Sequence, residues 1–326
     1  MADTTSKLDA RQIIFQPLYI PVTSALGFAF ILALFVWNYP VPGDPIGQKF
    51  VSVPEFWVWV SLLGLMSAFL TIVFAPLWKQ FIDLFNEQIA NQRQNQRFGL
   101  ILMVLIGTVV YIFLIVLVYG ITLSVRLEFE TGFPLGHSER VRLIYIYALI
   151  TLLPLMAAIL LIYKGVLDNA AKIPSAAGDE ERLLNIGNNL LRYRNLLQNY
   201  LLIAGIIVSI VPIATATLRS ILITTGYATE QNFPITVVMS YGLFFTMVLV
   251  LFYAPTHLLL TETSRKLRDE LCPIDSLSGI EERLRQRKSL DEWLQTNIGL
   301  AQNLKAGIFA LSPLISSFVA SVLGIK

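Results

Sequence analysis

Residues Phe98–Val125 read FGLILMVLIGTVVYIFLIVLVYGITLSV, an unbroken run without one Asp, Glu, Lys or Arg. The hydrocarbon core of a bilayer is about 30 Å thick and takes about 20 apolar helical residues to cross. Helices in the core of soluble proteins are usually shorter. Working outward from this run, five more apolar stretches of similar length appear. The six expected spans are Leu18–Trp37, Phe56–Leu77, Gly99–Ser124, Leu143–Tyr163, Tyr200–Leu218 and Phe233–Leu259. The expected fold is therefore all-α: a polytopic transmembrane helix bundle with cytoplasmic helical extensions.

Composition agrees. Of 326 residues, 55% are hydrophobic and only 14% are charged. Soluble domains carry roughly 25% charged residues because their surface faces water. A net charge of +2 gives no reason to expect nucleic acid as a partner. A single cysteine, Cys272, excludes an intrachain disulfide and any cysteine-based metal motif. The first apolar run is long and lacks a small-residue cleavage site, so it reads as a retained signal anchor.

Lys and Arg counts in the connecting segments set the orientation. With the N-terminus inside, the inner segments hold seventeen and the outer ones five, leaving out Lys305 and Lys326. The expected location is the cell membrane, multi-pass, with a cytoplasmic N-terminus. Trp37, Tyr39, Phe56, Trp57 and Trp59 gather around the first outer loop, where an aromatic belt at headgroup level is expected.

Outer connections are short and carry turn formers such as Pro40, Pro42, Gly43 and Pro45. Inner ones are longer and read as helix. In the first, Trp78, Phe81, Phe85 and Ile89 share one face. In the second, Asp179 is placed to cap a helix whose Leu183, Ile186, Leu190, Tyr193 and Leu197 form a heptad-like seam. In the third, Thr261–Asn303, Pro273 ends one helix. Ser278-x-x-Glu281 and Ser289-x-x-Glu292 both fit a capping box, so two or three short helices are expected. The organisation is then an N-terminal segment (1–17), a six-span region of three outward hairpins (18–260), a cytoplasmic helical segment (261–304) and a C-terminal membrane-associated helix (305–326).

That last segment, Ala306–Ile325, reads AGIFALSPLISSFVASVLGI. Small residues recur at four-residue intervals at Ala306 and Ala310 and again at Ser316, Ala320 and Gly324, a spacing that lets helices approach closely. Ser312, Ser316, Ser317 and Ser321 are candidates for lining a pore or packing across helices. Pro313 is expected to divide the segment, which favours a membrane-associated helix that does not fully cross over a seventh span.

The six spans hold no charge near their centres, against a proton relay or voltage sensor. Pro154, Pro212 and Pro255 are candidate kinks, whose freed carbonyls either line a polar path or serve packing. His257, near the inner end of the sixth span, is a candidate pH-sensitive group. With only two histidines, a metal site lacks partners. No H-E-x-x-H, G-x-S-x-G, P-loop or G-x-G-x-x-G pattern occurs, so no enzyme activity and no cofactor are expected. Three functions fit. The first is an oligomeric channel or pore-forming protein, from the Ser-rich C-terminal segment. The second is a transporter of a neutral or lipophilic solute, from the kinked helices. The third is a membrane anchor or scaffold that docks a cytoplasmic protein through helices 179–197 and 261–303. The bilayer itself and a second copy of the chain are the other expected partners.

Overall fold

A computed structural model describes residues 10–36, 45–90, 94–124, 137–274, 280–296 and 300–322. The described residues form helices and no strand. In chain order these are α1 (Ala10–Val36), α2 (Pro45–Ser52), α3 (Pro54–Ala90), α4 (Gln94–Ser124), α5 (His137–Lys172), α6 (Glu180–Thr224), α7 (Ile235–Leu271), α8 (Ile280–Trp293) and α9 (Leu300–Val322), with a 3-10 turn at Pro174–Ala176. The chain is an all-α membrane helix bundle. Five helices (α1, α3, α5, α6 and α7) are long and apolar enough to cross a bilayer. Helix α4 joins them with 31 residues, of which Arg97–Phe113 is the described apolar stretch.

Helix length explains the inner connections. At about 1.5 Å per residue, the 45 residues of α6 measure about 68 Å and the 37 of α3 about 55 Å. Both exceed the bilayer core. The inner segments are therefore largely the continuations of α3, α5, α6 and α7 beyond one face of the bundle, called here the basic end, and α8 is a separate short helix there. The expected divisions after residues 17, 260 and 304 fall inside α1, α7 and α9.

Local signals hold at several ends. Asp179 caps α6 by accepting a hydrogen bond from Arg182 N at 3.1 Å. Helix α7 stops at Leu271, ahead of Pro273. The capping box at Ser289 does not form. Its hydroxyl bonds back to Arg285 O at 3.2 Å, and α8 continues to Trp293. Ser278 lies outside the described residues. So do Trp37 and Tyr39 of the expected aromatic belt. Phe56 and Trp59 are buried rather than belted. With Phe35, Tyr227 and Phe50 of the short α2 they form edge-to-face contacts, such as Phe35–Trp59 at 5.1 Å and Phe50–Tyr227 at 6.1 Å. Trp57 alone of the three described residues points outward.

The helices pack α1 on α3, α3 on α5 and α6, and α6 with α7 and α9, while α4 leans on α5. Prolines sit inside continuous helices at Pro76, Pro154, Pro212, Pro255 and Pro313. Pro76 cannot donate to the carbonyl four residues earlier, Ile72 O. Tyr19 of α1 takes its place, donating its hydroxyl to Ile72 O at 3.1 Å. The carbonyl that Pro76 leaves open thus joins α1 to α3.

One expectation about the C-terminal segment changes. Pro313 does not divide it, because α9 is helical from Leu300 to Val322. Helix α9 packs against α6 and α7. Ser312 donates to Gly205 O of α6 at 3.3 Å. Farther along, Ala320 packs with Ala216 of α6 and with Val238 and Ile235 at the start of α7. From Gly205 to Ala216 and from Ser312 to Ala320 the two helices rise together, so α9 runs parallel to α6 over this stretch. Ala310, Pro313, Ser317 and Ala320 face inward, while Leu311, Ile315, Phe318 and Val319 are exposed. That arrangement suits a helix with small residues against its neighbours and large apolar ones toward lipid. A Cβ on Gly242 of α7 would collide with Ser317 Oγ and come within 2.6 Å of Pro313 O. Only glycine permits that approach.

Two outcomes follow. In a Cys272→Ser background, labelling Lys326→Cys and Ser289→Cys with a membrane-impermeant thiol reagent tests whether α9 crosses: reaction from opposite sides is the outcome expected of a helix packed parallel to α6. Gly242→Val should lower stability by about 1–3 kcal/mol through overpacking, read as a drop in thermal midpoint in detergent, whereas Ile315→Val on the exposed face should leave it within about 0.5 kcal/mol.

Candidate functional site: a buried arginine at the basic end

The basic end is tied together by side chains that the extended helices carry past the membrane. Gln88 of α3 donates to the Tyr193 hydroxyl of α6 at 3.0 Å, and Arg192 pairs with Glu87 at 2.8 Å. Asn169 of α5 bonds back to Gly165 O at 2.8 Å. The heptad-like seam of α6 is buried at Leu183, Ile186, Leu190, Tyr193 and Leu197.

Helix α8 folds back on the tail of α7. Arg268 reaches both carboxylate oxygens of Asp291, at 2.9 and 3.2 Å, and Arg287 pairs with Asp269 at 2.9 Å. Arg287 also donates to Cys272 O at 2.9 Å, and Arg283 to Pro273 O at 3.0 Å. The carbonyls left open at the end of α7 are thus capped by arginines of α8.

The end of α8 receives the same treatment from α6. It closes in a Schellman motif, with Thr296 N donating to Asp291 O at 2.9 Å and Gln295 N to Glu292 O at 3.2 Å. Gln295 occupies the left-handed position of that motif, with φ of 52°. The carbonyls of Leu294 and Gln295 then point at Arg194, and both accept hydrogen bonds from its Nη1. A helix C-terminus carries roughly half a negative charge. It is the partner of this guanidinium, for among the described residues no carboxylate pairs with Arg194. One turn pair earlier on α6, Gly187 lets Trp293 close in. A Cβ there would overlap the indole, with Cζ3 at 2.9 Å.

Arg194 is 1% exposed, and among the described residues its Nε and Nη2 have no hydrogen-bond partner. Tyr253 and His257 of α7 lie within electrostatic reach of it. Their rings stack at 5.3 Å, with the Tyr253 hydroxyl 3.4 Å from His257 Nδ1.

The expected site residues are brought together only in part. His257 belongs to the Arg194 cluster, and Pro255 lies on the exposed face of α7 between the two rings. Pro154 and Pro212 sit inside α5 and α6, away from it. Ser312, Ser317 and Ala320 form the α9 packing face. Ser317 and Ser321 bond to carbonyls of their own helix, Leu314 O and Phe318 O. Ser316 is half-buried, and Gly324 lies outside the described residues. Arg194 itself was missed, being counted only as one more basic residue. The available signal was its place four residues after Leu190 and three before Leu197, on the seam's own face.

Recesses in the membrane part are apolar. One of about 40 Å³ lies between Trp59, Leu63, Ile144 and Ala214. An open one of about 470 Å³, between Leu102, Ile106, Val110, Leu160 and Phe252, faces outward between α4 and α7. Several hydroxyls within the spans are turned onto their own helices, as Ser209 to Gly205 O and Thr217 to Ile213 O. No protein-family model, curated protein or solved structure compared with the chain matches it.

The latch generates a paired expectation. Gly187→Leu should displace Trp293 and speed hydrogen exchange throughout α8. Gln295→Gly should relieve the left-handed strain, worth about 1 kcal/mol, and slow that exchange. Opposite signs in the two variants are required.

Proposed function

We propose that this integral membrane protein is a non-catalytic scaffold whose basic end faces the cytoplasm and docks a soluble protein. One observation carries the reading. Four spanning helices extend far past the apolar zone on the same side, and arginine caps and ion pairs join three of them, α3, α6 and α7, with α8 into a platform. Long, mutually braced extensions present a fixed surface outside the membrane. The charges on that surface are of both signs, as in the exposed Glu281, Glu282, Arg285 and Lys288 of α8. Mixed charge suits a protein surface better than a polyanion or an anionic membrane. Leu284, 51% exposed among those charges, supplies an apolar anchor point.

A pore through one copy draws less support. Of the serines of α9 that made it attractive, Ser312, Ser317 and Ser321 are engaged with Gly205 O or with carbonyls of α9, and two recesses in the membrane part are apolar. Such surfaces do not stabilise an ion stripped of water. A carrier built on kinked helices draws less support for a similar reason, since the carbonyl freed by Pro76 is taken up by Tyr19.

The test is photocrosslinking from position 284 in native membranes. One soluble protein should be trapped, and it should be lost when Glu281 and Glu282 are both changed to Lys. Crosslinks to a second copy alone, or capture insensitive to the charge reversal, would overturn the docking reading.

A further inference from the structure

The unused side of Arg194 points to a ligand. Its Nη1 is committed to the carbonyls at the end of α8, while Nε and Nη2 have no hydrogen-bond partner among the described residues, in a residue that is 1% exposed. These two nitrogens are not an arbitrary pair. They form the lateral edge of the guanidinium, where two parallel N–H bonds match the two oxygens of a carboxylate or a phosphoryl group. A buried cation left uncompensated costs several kcal/mol, and the end of α8 offsets only about half a charge. The carboxylates at the α7–α8 junction are engaged elsewhere, Asp291 with Arg268 and Asp269 with Arg268 and Arg287.

We propose that the Nε–Nη2 edge of Arg194, with the Tyr253 hydroxyl and the His257 ring beside it, is a binding site for an oxyanion of the carboxylate or phosphate class. Tyr253 donates through its hydroxyl, and His257 through whichever ring nitrogen carries hydrogen. Access is from the α7 side. His257 is half-exposed, and Pro255 and Leu258 on either side of it are exposed. The depth suits an anion as well. Arg194 stands six residues before Tyr200, where the apolar run of α6 begins, and His257 lies near the end of that of α7. This is the level of phospholipid phosphates, so the oxyanion comes either from a lipid headgroup reaching in between helices or from a small solute in water. Because one guanidinium holds the ligand by its edge and α8 by its tip, occupancy of the site bears directly on how firmly the platform is braced.

The experiment uses the full chain, purified in detergent and stripped of lipid. Thermal midpoints are followed against inorganic phosphate, acetate and chloride, and then in nanodiscs of phosphatidylcholine alone or mixed with phosphatidylglycerol. The site predicts a rise with phosphate or acetate beyond that with chloride, or with the anionic lipid. The first result assigns the site to a solute and the second to a headgroup. Arg194→Lys keeps the charge but loses the two-pronged edge. It should weaken the response about tenfold or more, with Tyr253→Phe intermediate. Should Arg194→Lys fail to fold, Tyr253→Phe and native mass spectrometry of the unaltered chain decide. Retention of phosphate or an anionic lipid that Tyr253→Phe reduces supports the site. No response of the unaltered protein to any of these anions or lipids, or an equal response in the variants, overturns it.

Discussion

A guanidinium buried between helices at the edge of a membrane must be answered by negative charge, and in this protein the end of a helix supplies it. Arg194 holds the Leu294 and Gln295 carbonyls, and that contact sets where α8 ends. The turn there is a Schellman motif whose carbonyls project outward. A short, strongly polar helix with little apolar surface of its own is thereby fixed in place. The same device recurs at the end of α7, where Arg283 and Arg287 cap Pro273 O and Cys272 O. Arginine suits the role because its charge is permanent and its several N–H groups can serve two carbonyls at once. Because α9 leaves from the end of α8, the same contact also sets where the last helix enters the bundle.

Inside the membrane a different rule governs. Lipid is as apolar as leucine, so helices gain little from burying leucine against one another. Close contact comes instead from small residues and from finding a partner for every polar group. Both devices are visible. Gly242 lets α9 press against α7, and several serines and threonines fold back onto their own helices. Tyr19 answers the carbonyl that Pro76 leaves open. The mid-helix prolines and hydroxyls therefore read as packing elements. Among the described residues a few buried hydroxyls, such as those of Ser67, Ser220 and Thr246, keep no partner, and at the basic end the guanidinium of Arg194 keeps two nitrogens without one.

Much of this was legible in the chain itself. Six spans, the uneven distribution of Lys and Arg, the Asp179 cap and the stop before Pro273 all depend on neighbours in sequence, and local chemistry decides them. The Ser289 capping box failed for an equally local reason. Inside a helix that tertiary contacts hold together, a serine bonds backward to the carbonyl four residues earlier rather than forward to a free N–H. Phe56 and Trp59 failed as belt residues because α2, invisible in the apolar pattern, brought Phe50 to cover them.

The sequence by itself determined that this is a helical membrane protein and which stretches lie in lipid, since hydrophobic length alone answers that question. Only the tertiary structure decided the fate of the last segment and the meaning of Arg194. The 20 residues from Ala306 to Ile325 are composed ambiguously, too polar for an obvious span and too apolar for a surface helix. The ambiguity resolves when α6 and α7 offer a groove shaped for small side chains. Arg194 is one basic residue among many until Leu294 and Gln295, a hundred positions away, are folded against it. A charge acquires its role from what surrounds it, and those surroundings come from distant parts of the chain.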